Sequence, residues 1–396
     1  MPELFSATRS SPPQSQALRY SYEKAGLTID DQPIPWCAES VIVEALVRIG
    51  SITPRTRLEF GLKLTGSTPI PPEVVRPDET PGLARLFFRL PPPLASTTAD
   101  LHWKQRSLGQ TTLPIVTRDE FLSRLQIQHA TVQTLLLGAT AACRTLVSSQ
   151  ARGLIASSVW SSPTSLAPLV DLHPAIELAN AVGGTVERAE LMLSGSQLRG
   201  KQALASVELK KPPRTGPWQV RWLLGDRTIQ LQTIRAVTRV ALEKSLRLLG
   251  GRFLIQSPSN LSVVRLPPDE LKADERLGPI FILASSELGM AGRCTATLRG
   301  LDANQAIVFE LPPQEVLVRD GPTPVAPGTF SQDDVKSIRS FELRVGKRRI
   351  GLLSLDSAPT AHFDAEGSFA LPTEEFAWSA TAESQLQERL SHLMGG

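Results

Sequence analysis

The chain is short of cysteine, of aromatic residues and of long apolar runs, and each shortage removes a class of protein. Its three cysteines, Cys37, Cys143 and Cys294, lie far apart in 396 residues and form neither a C-x-x-C pair nor an even set. They frame no disulfide scaffold or zinc site, and we read them as reduced core residues. Aromatics make up 5% of the chain, and six tryptophans and two tyrosines are too scattered to build a sugar-stacking platform. The most apolar run, Val132 to Cys143, is interrupted by Gln133 and Thr134 and is too short for a bilayer. The residues MPELFSATRSSPPQSQA at the start carry neither a basic nor an apolar leader region. The expectation is a cytoplasmic chain with no membrane insertion.

Chemistry-bearing motifs are missing as well. There is no G-x-x-x-x-G-K-[ST], no G-x-G-x-x-G after a strand, no H-E-x-x-H and no G-x-S-x-G. Phosphate-cradling loops, zinc-protease chemistry and a nucleophile elbow therefore lack support, and no cofactor is expected. Net charge is +3, and basic residues alternate with acidic ones along most of the length. That pattern argues against a nucleic-acid partner.

What is present is turn residues and period-two patterning. The 32 prolines and 27 glycines are spread along the chain, 41% of residues are hydrophobic and 20% charged, which suits many short strands joined by turns. Ser40 to Ile49 places Val41, Val43, Ala45, Val47 and Ile49 on one side, and Leu58, Phe60, Leu62 and Leu64 alternate with polar or small residues, so both read as strands. LRYSYEKAGLTIDDQPIPW, from Leu18, predicts a hairpin around Asp30-Asp31.

One pattern is stated three times. Gly216 to Thr238 predicts a hairpin with its turn at Gly225-Asp226; Ala99 to Thr117 predicts one with its turn near Leu108-Gly109; Phe341 to Leu355 predicts one turning at Gly346-Lys347. Trp103 and Trp222 fall at inward positions, whereas the tips Gln110-Thr111, Asp226-Arg227 and Lys347-Arg348 differ. Strands ending in prolines recur as FRLPP (Phe88 to Pro92), VELKKPP (Val207 to Pro213) and FELPP (Phe309 to Pro313). TRDEFLSRLQI from Thr117 matches TRVALEKSLRL from Thr238 in register, an offset of 238 − 117 = 121 residues. A unit of that length is an autonomous domain, not a solenoid turn.

The resulting division is a disordered tail (1–17), an N-terminal hairpin plus first β-module (18–118), an intervening β segment (119–173), a second module (174–239), another intervening segment (240–278) with a hairpin turn at Gly250-Gly251, a third module (279–372) and a C-terminal amphipathic helix (373–396). Short alternating strands, regular turn signals and an inward Trp resemble tandem immunoglobulin-like or fibronectin-III-like sandwiches, an all-β fold class of antiparallel sheets.

Candidate site residues are few. His362, Asp364 and Glu366 share one face at period two and form the best metal-like set, with Ala361, Phe363 and Ala365 as its core-facing alternation. Asp100 and His102 invite an acid–base reading without a third partner. Arg344, Lys347, Arg348 and Arg349 gather at a hairpin tip as a partner-binding candidate, and the proline-rich loop 319–337 is the most accessible contact loop. These observations imply a non-catalytic protein-binding or scaffold protein, with a protein partner or self-association through strand edges, loops or the C-terminal helix. Alternatives are a glycan- or peptide-binding module with a pocket at Trp36 or Trp160, and a hydrolytic enzyme gathering His102, His173 or His362 with carboxylates.

Overall fold

The computed structural model describes residues 12–356, apart from 31, 50, 51, 54, 257–260, 264–270 and 288. The C-terminal helix (373–396), the set His362, Asp364 and Glu366, and residues 1–11 of the expected tail lie outside the described residues. Order begins earlier than Leu18: the first strand starts at Gln14.

The first stretch contains β1 (Gln14–Lys24), β2 (Leu27–Asp30), β3 (Ile34–Pro35), β4 (Ser40–Arg48), a single helical turn α1 (Thr56–Glu59), β5 (Phe60–Leu64), β6 (Val74–Pro77), β7 (Leu83–Leu90), β8 (Thr97–Trp103), β9 (Arg106–Leu113) and β10 (Ile115–Val116). One sheet runs β2-β1-β4-β7-β6 and a second β5-β8-β9, while β3 and β10 pair in parallel. The pleat explains the layering: Val41, Val43, Ala45 and Val47 of β4 and Ala84, Leu86 and Phe88 of β7 are all fully buried between the sheets. Their outward neighbours form charge pairs, Arg85 with Glu44 and Asp78, and Arg89 with Glu23.

The second stretch contains α2 (Arg118–Arg124), β11 (Gln126–Leu136), β12 (Ala139–Ala142), β13 (Thr145–Val147), β14 (Gly153–Ser161), α3 (Leu169–Leu172), β15 (Pro174–Asn180), β16 (Thr185–Glu190), α4 (Gly195–Arg199), β17 (Gln202–Leu209), β18 (Gly216–Leu224) and β19 (Arg227–Val237). The third contains α5 (Arg239–Ser245), β20 (Leu246–Gln256), β21 (Leu261–Val263), β22 (Arg276–Ser285), β23 (Met290–Leu301), β24 (Ile307–Glu310), β25 (Gln314–Val318), β26 (Thr323–Val325), α6 (Gln332–Lys336), β27 (Ser340–Val345) and β28 (Arg348–Ser354).

Both repeat the plan of the first. The sheets β12-β11-β14-β17 and β21-β20-β22-β26 match β2-β1-β4-β7, and the runs β15-β18-β19 and β23-β27-β28 match β5-β8-β9. The register match of 121 residues has a structural cause. Thr117 and Thr238 each cap a helix by accepting a backbone N–H, from Glu120 and Ala241, and Phe121 and Leu242 are fully buried beneath them. At the first helix Glu120 also accepts from the Thr117 N–H, completing a capping box.

Three buried clusters follow this order, and the segments 119–173 and 240–278 contribute to them directly. Phe121, Leu154 and Trp160 share a cluster with Ile176, Val220 and Trp222; Leu248, Phe253 and Leu277 share another with Leu298, Phe341 and Leu343. Neighbouring repeats touch through corresponding parts. Ala167 joins the first cluster, Tyr22 Oη lies 2.6 Å from Ser165 Oγ, and Lys24 donates to Asp171 at 2.8 Å. Next along, β13 pairs in parallel with both β19 and β23, fusing strands of two repeats into one ten-stranded sheet.

Burial pushes the Tyr22 phenol up to about 12, against the hydrogen bond with Ser165. An unfolded tyrosine ionises near ~10. Between those values the folded chain holds the proton more tightly, so stability is full below the unfolded value and is lost as pH rises through about 12. Urea midpoints measured across this alkaline window should fall more steeply for the wild type than for Tyr22→Phe; parallel curves would contradict this.

Several local expectations are corrected. The N-terminal hairpin turns at Ala25-Gly26, both at positive φ (51° and 72°), not at Asp30-Asp31. Leu58 lies on α1 and is 81% exposed, so the alternation from Leu58 begins only at Phe60. The hairpin of the first repeat turns at Lys104-Gln105, with Lys104 at φ 54°, and Gly109 lies inside β9 opposite Leu101. Gln110-Thr111 is thus no hairpin tip. Gly250-Gly251 makes no turn, because β20 continues through it with a bulge, and a Cβ on Gly251 would lie 2.2 Å from Leu353 Cδ2. FELPP is not the counterpart of the other proline-ended strands: β24 pairs β23, whereas β26 occupies the place of β7 and β17. Residues 319–337 are not a free loop, since they hold β26 and α6, with Val325, Phe330 and Val335 buried.

Candidate binding surfaces

The hairpin β18–β19 walls a cleft in the second repeat. Leu224, Gly225, Arg227, Ile229 and Gln230 face Arg118, Leu122, Leu125 and Gln126 to Gln128, with Asp171, Leu172 and His173 closing one side around about 590 Å³. The tip is fixed: the Gly225 N–H donates to the carbonyl of Leu172 at 2.8 Å, and Arg188 bonds both the Gly225 carbonyl and the Asp226 carboxylate. The carboxylate that lines the cleft, Asp171, is matched by Lys24, and Asp226 at the neighbouring hairpin tip by Arg188. Arg118 and Arg227 have no such partner among the described residues.

A second surface is the edge of β17. Ser162 N–H donates to Lys201 O at 2.9 Å across an opposed pair, and alternation along the β14–β17 ladder then turns Ala203, Ala205 and Val207 inward to β14. Gln202, Leu204, Ser206 and Glu208 turn their backbone groups outward, and Leu204 O meets only a side chain there, Gln197 Nε2 at 2.7 Å. The eight residues hold no proline and no basic residue, and the Leu204 side chain is 62% exposed. Four other outer strands are guarded in ways that blunt pairing. β16 carries Glu187, Arg188 and Glu190, β6 ends in Arg76 and Pro77, β26 contains Pro324, and β28 begins Arg348-Arg349.

Arg348 donates to the carbonyls of Lys244 at 2.7 Å and Leu246 at 2.5 Å, closing the C-terminal end of α5. Burial, then neighbouring Arg247, pulls its guanidinium below the ordinary arginine value. Arg344 donates to Glu342 at 2.6 Å and to the Lys347 carbonyl. The tip is thus largely engaged within the chain. His102 Nε2 stands 3.1 Å from Asp100 Oδ2, and Asp100 also accepts from Ser107 and Gln110. His173 and Asp171 share the cleft, but Asp171 is held by Lys24. Among the described residues no three His, Cys, Asp or Glu side chains gather for a metal. Burial pushes all three thiols up to about 12. Trp160 is fully buried, with Nε1 donating to Ser158 Oγ at 3.0 Å, and Trp36 packs on Phe121 with ring centroids 5.5 Å apart. Neither lines the cleft. The cleft escaped the sequence because it is assembled from segments distant in the chain, and the β17 edge because strand order alone makes it outermost; the one local signal was that QALASVEL holds no proline and no basic residue.

No helix among the described residues is long and apolar enough to cross a membrane. No family model matches the chain, and no curated protein matches it in sequence. Among solved structures it is similar to the I9–I11 tandem of titin, at 8% identity over 78% of this chain and 90% of that one, with a TM-score of 0.23. It is also similar to alpha-2-macroglobulin from Escherichia coli spanning domains MG0-NIE-MG1, at 9% identity over 86% and 98%, TM-score 0.24. InvD of Yersinia pseudotuberculosis is a third, at 10% identity over 81% and 93%, TM-score 0.21. At these scores the architecture rests on the chain's own strand order. In the first repeat, β1, β4, β7 and β6 form one sheet and β5, β8 and β9 the other, which is the order of an immunoglobulin constant-type sandwich. The chain is an all-β protein of tandem immunoglobulin-like sandwiches.

Proposed function

We propose that the chain is a non-catalytic scaffold that binds a protein partner by adding a partner strand to the edge of β17. The observation that carries this is the β17 edge itself: eight residues with no proline and a single charge, Glu208 near the end, whose backbone turns outward at Gln202, Leu204, Ser206 and Glu208, where β16, β6, β26 and β28 bear several charges or a proline. Backbone pairing would supply affinity, and the exposed Leu204 would supply side-chain selectivity.

The test is affinity capture from the native cell with the full chain, its Leu204→Lys variant and its Ser206→Pro variant. Each change blocks strand addition, by charge or by removing an outward N–H. Lys at the exposed Leu204 should move stability by about 0.5 kcal/mol, and a proline at 206 removes only an N–H that faces away from β14, so both variants should keep the parent's fold. Partners recovered with the parent should be depleted at least ~10-fold with both variants. Equal recovery by all three would overturn the proposal.

A further inference from the structure

The β18–β19 cleft combines features that the scaffold reading does not use. With Asp226 held by Arg188 and Asp171 by Lys24, Arg118 and Arg227 leave the cleft with an unmatched positive charge. Its floor is apolar, from Leu122, Leu125 and Ile229, and about 590 Å³ falls in the range of sites that hold a small ligand or a few side chains. Gln126, Gln128 and Gln230 add carboxamides to the lining. A carboxamide both donates and accepts, and so matches a peptide group. A small inorganic anion would use the arginines and leave the apolar floor and the amide acceptors without partners.

We propose that this cleft binds an acidic peptide segment with interspersed apolar side chains, its carboxylates on Arg118 and Arg227 and its apolar groups on Leu122, Leu125 and Ile229. Guanidinium groups suit this task because their fork of donors can hold a carboxylate with two bonds. Both arginines are exposed, so attraction is screened by salt and each pair contributes modestly, while the apolar floor supplies the remainder. The site is separate from the β17 edge and does not rest on strand addition there.

Fluorescence polarisation of the full-length chain with a labelled peptide of alternating Glu and Leu tests the proposal, with alternating Gln–Leu and Lys–Leu peptides alongside. The Glu–Leu peptide should bind, more weakly as salt rises, and the other two should bind at least ~10-fold more weakly. Replacing Arg118 and Arg227 together by Ala should weaken the Glu–Leu peptide at least ~10-fold with the melting temperature unchanged. Leu204→Lys should leave this binding intact, which separates failure here from failure at the β17 edge. The proposal is overturned if the Glu–Leu peptide does not bind, if the arginine variant binds it equally, if the Gln–Leu peptide binds as tightly, or if inorganic phosphate displaces it at matching concentration.

Discussion

Replacing Trp222 by alanine should cost the second repeat about 3–5 kcal/mol, the range for deleting a large aromatic from a packed interior. Trp222 is fully buried in the cluster that also holds Trp160, Leu154 and Ile176, so the substitution opens a cavity between two sheets. A phenylalanine at the same place should cost much less than alanine. The Trp222 indole N–H is buried without a hydrogen-bond acceptor among the described residues, and Phe removes that unsatisfied donor while keeping most of the apolar surface. Urea unfolding followed by far-UV circular dichroism measures both losses. An alanine loss below about 1 kcal/mol, or a Phe variant as unstable as the Ala variant, would mean that this strand is not clamped as described.

The third repeat should be equally sensitive at a residue with no side chain. A Cβ on Gly251 would come 2.2 Å from Leu353 Cδ2, and one on Gly351 would come 2.3 Å from Leu248 Cδ2. Each glycine makes room for a leucine of the opposite sheet, so β20 and β28 interlock twice. Gly251→Ala should therefore destabilise by about 1–3 kcal/mol through overpacking. Leu353→Ala alone should cost about 2–5 kcal/mol by cavity formation. In the double variant the new methyl occupies vacated space, and the combined loss should fall short of the sum by at least ~1 kcal/mol. Additive losses in a double-mutant cycle would contradict the interlock.

These two sites also separate what periodicity reveals from what it conceals. The inward position of Trp222 follows from alternation with Arg221 in β18, and Val41 to Val47 in β4 follow in the same way, because a strand with one buried face must alternate. Turn positions were less legible. Gly109 and Gly251 resemble turn glycines, yet Gly109 lies inside β9 opposite Leu101 and Gly251 accommodates Leu353. Close approach from a distant strand selects glycine as effectively as a tight turn does, and only tertiary structure tells the two apart. The turn at Lys104-Gln105 carried no glycine at all.

The binding surfaces were hidden for a related reason. Arg227 reads as an ordinary hairpin residue until Arg118 and His173 are brought beside it. Arg348, which reads as a contact residue, is occupied by the carbonyls at the end of α5. Thr117 and Thr238 were the reverse case: their matched sequences encode a cap and a buried apolar residue locally, so the repeat could be seen before the fold.

Residue-resolved hydrogen exchange reads the β17 edge directly. In the chain alone, the amides of Leu204, Ser206 and Glu208 should exchange far faster than those of Ala203, Ala205 and Val207, which donate to β14. With a partner captured by the native chain, the fast set should become protected and the slow set should not change. Protection of Leu204, Ser206 and Glu208 already in the isolated chain, or their continued rapid exchange in the complex, would contradict strand addition at β17.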